Sequence, residues 1–263
     1  MKFLILTKLK KGKEMKVKLI QATNHPITVM WTAARTCYSE KSPIEIWDDC
    51  GNTPIEKRWS LVQKVLSSGH KSVAEHVYFT FTIEGISRAC SHQLVRHRHC
   101  TFSQQSQRYV EIKESKDELI EVLERYEAPE MKAICSKYFV DFKDSLPSDL
   151  IKVLCQYRDL VDGGCKPEDA RMVLPNCTKT NIVMSCNLSE LMHICNLRLC
   201  TRAQDEIRDL FREIKKCVGE YDSKIASLLV PSCEVMGICT EHKCCGRKPH
   251  ISKVSGNLEL IYK

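Results

Sequence analysis

The chain is poor in glycine: ten in 263 residues, with no two spaced as G-x-G. That removes both the dinucleotide fingerprint and the P-loop, in which glycine-rich backbone cradles phosphates. Long apolar runs are also missing. A membrane-spanning helix needs about 20 consecutive apolar residues, and "MKFLILTKLKKGKEMK" has an apolar core of only Phe3–Thr7, too short for a signal peptide. A cytoplasmic protein with no membrane association is expected. Aromatic residues make up 7%, too few for the basic stripe with stacking platforms that a nucleic-acid binder presents. Cysteine is the abundant exception, with sixteen residues in no regular framework, which argues for reduced thiols, most of them small core residues. In the tail, Cys233, Cys239, Cys244 and Cys245 run as C-x5-C-x4-C-C and lack the paired C-x2-C of common zinc sites. Even with His242 nearby, unligated thiols and no metal are expected there.

What is present is an ordinary core-forming composition, 43% hydrophobic and 28% charged, with a net charge of +7 that points to an anionic partner. Part of that charge is local, because seven lysines fall in the first eighteen residues against the single acid Glu14. Residues 1–14 read as a basic leader without an assigned role, and 247–263 as a tail. Between them, 15–246 reads as one α+β domain. "VKLIQAT", "VYFTFTIEG" ending at Gly85, and "TKTNIVMSCNL" have the composition and alternation of strands. "ITVMWTAARTC", "IEKRWSLVQKVLSSGH" and "ISRACSHQLVRHR" have helical spacing. Residues 114–166 are charged and helical with breaks at Pro129 and Pro147, and one long helix is predicted through "SELMHICNLRLCTRAQDEIRDLFREIKKC".

With no glycine-rich loop, any phosphate must be held by side chains, and arginine suits this because its planar fork bonds two phosphate oxygens. The stretch "RHRHCTFSQQSQRY" concentrates such groups. Helical spacing would put Gln93, Arg96 and His97 on one face and stack Arg88, His92 and Arg96 at intervals of four. Two readings are open: cations capping a helix C-terminus, or, given the adjoining "SQQSQR", an extended loop packed on a polar ligand.

Arg96, His97 and Arg98, followed after seven residues by Ser106, form an RHR-x7-S signature that resembles the flavin-dependent thymidylate synthases, the ThyX family. "GHKSVAEH" ahead of "VYFTF", "EDARMVLP" with Arg171, and "NLSELMHICNLRLCTRAQDEIR" resemble further motifs of that family, in order. The resemblance implies a central, mostly antiparallel sheet with flanking helices, and a homotetramer with active sites shared between subunits. It also implies FAD as cofactor, NADPH and 5,10-methylenetetrahydrofolate as cosubstrates, and methylation of dUMP to dTMP. Carried over by position, FAD contacts fall on Ser72, Arg96, His97, Arg98, Gln104, Asn187, Leu188, Ser189 and His193. Contacts to dUMP fall on Gln93, Leu94, Val95, Arg96, Gln104, Gln105, Ser106, Gln107, Arg108, Arg171 and Arg198. Glu75 and His76 look like a hydrogen-bonded pair near the flavin.

Uracil C5 is a poor nucleophile and needs added electron density. No cysteine occupies the serine position of the signature, and Ser106 would need an adjacent base to attack, so it is assigned to substrate binding. The resemblance instead gives Arg198 the catalytic role, stabilising uracil deprotonated at N3. Two rivals remain at this level: a nucleic-acid-binding protein, and a flavoprotein reductase with another substrate. The second leaves Arg171, Arg198 and the Gln-Ser-Gln-Arg run without a task.

Overall fold

Alternation of apolar and polar residues sets the sheet. In the computed structural model, which describes residues 15–125, 128–141 and 146–254, the chain runs β1 (Lys16–Ala22), α1 (Pro26–Thr36), α2 (Pro43–Asp48), α3 (Ile55–Ser67), β2 (Tyr78–Ser87), α4 (Arg88–Leu94), β3 (Thr101–Gln104), α5 (Lys116–Arg125), α6 (Ala128–Tyr138), α7 (Pro147–Asp162), α8 (Pro167–Ala170), β4 (Lys179–Asn187), α9 (Leu188–Arg198), α10 (Asp205–Tyr221), α11 (Ser223–Ser227) and α12 (Ser232–Met236). The leader assigned to residues 1–14 and the end of the tail, 255–263, lie outside the described residues.

The strands form one antiparallel sheet in the order β1-β2-β4-β3. Phe79, Phe81 and Ile83 of β2 and Ile182, Met184 and Cys186 of β4 point to its buried face. Against that core α10 sets Ile207, Leu210, Phe211, Ile214 and Val218, whose spacing of three and four residues lines one helical face. α1 and α3 add Met30, Trp31, Trp59 and Val62. Each large apolar side chain buried in this way contributes about 1.5–3 kcal/mol.

The strand expected to stop at Gly85 continues to Ser87. Its register against β4 shifts between Ile83 and Ile86, where Gly85 takes φ 73°, a conformation that favours glycine. Asn181 Oδ1 accepts the Gly85 N–H at 3.0 Å, so the irregularity keeps a partner.

The single long helix expected after β4 is two helices. α9 ends at Arg198 and α10 starts at Asp205. Gln204 caps the second through its side chain, which accepts from Ile207 N, and Arg208 reaches back to donate to the carbonyls of Thr201 and Ala203. With its carbonyls satisfied, the chain turns without needing glycine or proline.

Ile112, Leu119, Met131, Cys135, Phe139, Ile151, Leu154, Tyr157 and Ala170 build a second hydrophobic cluster, separate from the core on the sheet. Pro129 and Pro147 lie in the first turns of α6 and α7, where the missing N–H has no helical partner to lose. The layer joins the sheet side through a bridge between Phe139 and Thr178 and a Val140 N–H donated to Cys177 O at 2.8 Å. All sixteen cysteines are free, but only five are buried, so most sit at the edge of a core rather than within it. No described helix is long and apolar enough to cross a membrane.

Candidate active site

α4 is the spine of the site. Ser87 caps it, its Oγ accepting from Cys90 N at 2.9 Å, while its own N–H and O–H donate to the Glu206 carboxylate at 2.7 and 2.6 Å. These charged hydrogen bonds clasp the β2–α4 junction to the start of α10. At the other end, Gln93 Nε2 donates to Gln204 Oε1 at 3.2 Å. The helix stops at Leu94, whose side chain is buried in the main core.

Arg96, His97 and Arg98 therefore lie beyond the helix, and the expected faces Gln93–Arg96–His97 and Arg88–His92–Arg96 do not form. The chain turns instead, with His97 N–H donating to Leu94 O and Cys100 N–H to His97 O, both at 3.2 Å. The turn sends the His97 ring inward, to 7% exposure, and leaves Arg96 and Arg98 at the surface. Among the described residues neither arginine has an acidic partner.

Inside, Arg198 at the end of α9 donates its Nε–H to His97 Nε2 at 3.1 Å. Burial, then the charges of Arg198 and His193, push the His97 pKa down to about 4. The ring is thus neutral near pH 7, and its proton sits on Nδ1 because Nε2 accepts. Burial also lowers the Arg198 pKa, with Cys90 as a small opposing influence. The Cys90 thiol is itself pushed far up, by burial and then by Glu206. This corner holds one persistent cation and no thiolate.

The segment expected as an extended loop begins as β3, paired with β4 from Thr101↔Ser185 to Gln104↔Ile182. Gln104 turns its amide inward, donating to Ser91 Oγ at 3.0 Å and Thr180 Oγ1 at 3.1 Å. Gln105 Oε1 accepts from Asn181 Nδ2 at 2.9 Å. Beyond the strand, Ser106 Oγ accepts from Arg108 N at 3.1 Å, and among the described residues no hydrogen bond joins it to a base. Arg108 pairs with Glu168 at 2.8 Å, and Arg171 Nε donates to Glu168 O at 3.0 Å. Arg171 also faces Arg88, whose pKa is lowered by burial and then by that like charge.

The 3-10 turn Lys71–His76 packs against α9. Leu188 N–H donates to Val77 O at 2.7 Å, which holds the end of the turn that carries exposed Ser72 against the start of α9. Asn187 caps α9 by accepting from Glu190 N at 2.8 Å. The side chains of Leu94 and Leu188 are fully buried, so any ligand contact there is through backbone. Glu75 and His76 are both exposed, and no hydrogen bond joins them. The expectation of a bonded pair fails because the turn directs them to solvent. Sequence reasoning missed Ser91, Thr180, Asn181, Gln204 and Glu206. A polar cap followed by two acids at "QDE" would have marked the last two as a helix start.

In the tail, Cys239 forms a parallel bridge with His250, and Cys244 Sγ accepts from Gly246 N at 3.3 Å. Among the described residues no three His, Cys, Asp or Glu side chains gather in a way that could hold a metal ion.

An α+β fold with one antiparallel sheet has counterparts among solved structures. The thymidylate synthase X of Helicobacter pylori, solved with FAD and dUMP, superposes with a TM-score of 0.65 at 24% identity, covering 82% of this chain and 99% of that one. At the level of sequence, the thymidylate synthase complementing protein family matches residues 18–221, and the chain belongs to that family. The flavin-dependent thymidylate synthase of Geobacter sulfurreducens is 38% identical over 247 residues, 94% of this chain and 100% of the relative. That of Pyrococcus furiosus is 35% identical over 233 residues, 86% of this chain and 90% of the relative.

Proposed function

We propose that the chain is a flavin-dependent thymidylate synthase. It methylates dUMP to dTMP, takes the carbon from 5,10-methylenetetrahydrofolate, draws reducing equivalents from NADPH through FAD, and releases tetrahydrofolate. The observation that carries this reading is the 38% identity along the whole of the Geobacter relative.

The residues present suit FAD. Arg96 and Arg98 are exposed and have no acidic partner among the described residues, a donor set matched to a pyrophosphate. Ser72, Asn187, Ser189 and His193 offer further polar groups. When bound, FAD supplies the hydride. The chain's own residues position and polarise the substrate. Arg198 presents a fixed cation to the uracil edge, where negative charge develops at N3, O2 and O4. An arginine stays protonated even half-buried, so its part is electrostatic. Arg108 and Arg171, which converge on Glu168, bind dUMP with Gln93, Gln105, Ser106 and Gln107, and with the backbone of Leu94 and Val95. Among the described residues no base is hydrogen-bonded to Ser106, which acts as a ligand. The inward amide of Gln104 supports this wall from behind.

Two cavities of about 430 and 610 Å³ are lined by Trp31, Arg35 and Lys57, and by His25, Arg58 and Lys224, among others, and neither includes a proposed site residue. Arg96, Arg98, Gln105 and Arg108 of the proposed site are exposed in the single subunit. Tyr109 and Met172, each 81% exposed, flank the site and offer apolar contact area. Both facts support a homotetramer whose subunits close each other's sites, and the free thiols suit the reducing cytoplasm.

The test separates the half-reactions. The purified protein should be yellow, NADPH should bleach it without oxygen, and dUMP with methylenetetrahydrofolate should restore the colour and yield dTMP. Reduction by NADPH followed by reoxidation that ignores dUMP would leave only an unrelated flavoprotein reductase. Light scattering that shows a monomer at working concentration would refute the shared site.

A further inference from the structure

We propose that His97 is a positioning residue for Arg198: as a neutral acceptor on Nε it aims the outer edge of the guanidinium at the uracil without cancelling its charge. This role rests on the thymidylate synthase reading of Arg198. The supporting geometry is direct. His97 is 7% exposed and meets Arg198 Nε at 3.1 Å, between residues 101 positions apart.

A guanidinium has two planar edges for in-line pairs of hydrogen bonds, one made by Nε with one Nη and the other by the two Nη groups. A single acceptor on Nε uses up the first edge. The second keeps parallel N–H groups, and a uracil deprotonated at N3 offers in-plane acceptors to match. The chemical identity of the acceptor matters as much as its place. A carboxylate would hold Nε more strongly, but it would also neutralise the cation that the developing charge needs. The nearby acid, Glu206, is engaged instead by Ser87, whose N–H and O–H each donate to one of its oxygens.

Three variants separate position from charge. His97→Gln keeps a neutral acceptor of similar reach, His97→Leu removes the acceptor at similar size, and His97→Glu supplies an acceptor that carries negative charge. Each is made alone and with Arg198→Ala. Flavin occupancy is read from the visible spectrum, dUMP affinity by calorimetry without turnover, and the rate of flavin reoxidation with dUMP and methylenetetrahydrofolate after FAD is saturated. In the Arg198 background, His97→Leu and His97→Glu should slow reoxidation by roughly 10- to 100-fold, as expected for a misplaced or neutralised reacting group. His97→Gln should recover most of that rate. With Arg198→Ala present the three should be indistinguishable, because a residue that acts through Arg198 has nothing left to act on.

Equal rates for Gln, Leu and Glu at saturating FAD would overturn the proposal. So would a His97→Leu loss of the same size on top of Arg198→Ala. If the unmodified protein binds dUMP but makes no dTMP, the reaction is misassigned, and the order of dUMP affinities, Gln above Leu and Glu, still decides the positioning role. Should it bind no dUMP, both fall together.

Discussion

Arg96 and Arg98 stand at the surface beside a buried histidine, so removing either guanidinium takes away a charged donor without opening a cavity. Each such donor to a phosphate contributes about 1.5–3 kcal/mol. Arg98→Ala should therefore lower FAD affinity by roughly 10- to 100-fold with little change in thermal stability. Flavin occupancy near the wild-type dissociation constant is the measurement, and full occupancy would dismiss Arg98 as a cofactor ligand. His97 gives a second test, in pH. Its folded-state pKa of about 4 lies below the ordinary 6.5, with Arg198 and His193 opposing its protonation after burial has done so. Between those values the unfolded chain binds a proton that the folded chain refuses, so stability is full above the upper value and declines toward the lower. The total is about 3 kcal/mol for this group. Urea titrations from neutral pH downward should show the decline in the wild type and a shallower one in His97→Gln.

At the scale of elements, the clasp between Ser87 and Glu206 ties the end of β2 to the start of α10. Glu206→Ala would leave an N–H and a hydroxyl without their charged acceptor, at a cost of about 2–4 kcal/mol. The melting temperature should fall by roughly 5–10 °C, while Glu206→Gln, which keeps an acceptor, should lose less. An unchanged melting temperature in Glu206→Ala would mean that water replaces the clasp at no cost. This clasp was invisible in the sequence for a physical reason. Strands β2 and β4 could be read because alternation is local, and the RHR-x7-S stretch because its residues are contiguous. The break between α9 and α10 carries neither glycine nor proline; it is made by Gln204 and by Arg208 reaching back to two carbonyls. The contact of His97 with Arg198 spans 101 residues, so the two could be listed as site residues by resemblance but not as partners. Conversely, the Glu75–His76 pair looked local and failed, since adjacency in sequence does not make two side chains face each other.

Across the whole molecule, the groups proposed to bind dUMP are divided between two hydrophobic cores. Arg198 stands on a helix packed in the sheet core, whereas Arg171 follows Ala170, which is buried in the separate cluster built around α5, α6 and α7. Clusters that share few contacts open as separate cooperative units. Amide hydrogen exchange should thus resolve two tiers, with α7 exchanging at a lower opening free energy than β2 and α10, and a single common tier would disprove the division. A ligand that touches both units favours the state in which both are closed. Added dUMP should slow exchange in α7, a helix that contributes none of the proposed contacts. Nucleotide binding would then act as a molecular rivet, and the resistance of residues 147–162 to proteolysis would become a gauge of how much dUMP the protein holds.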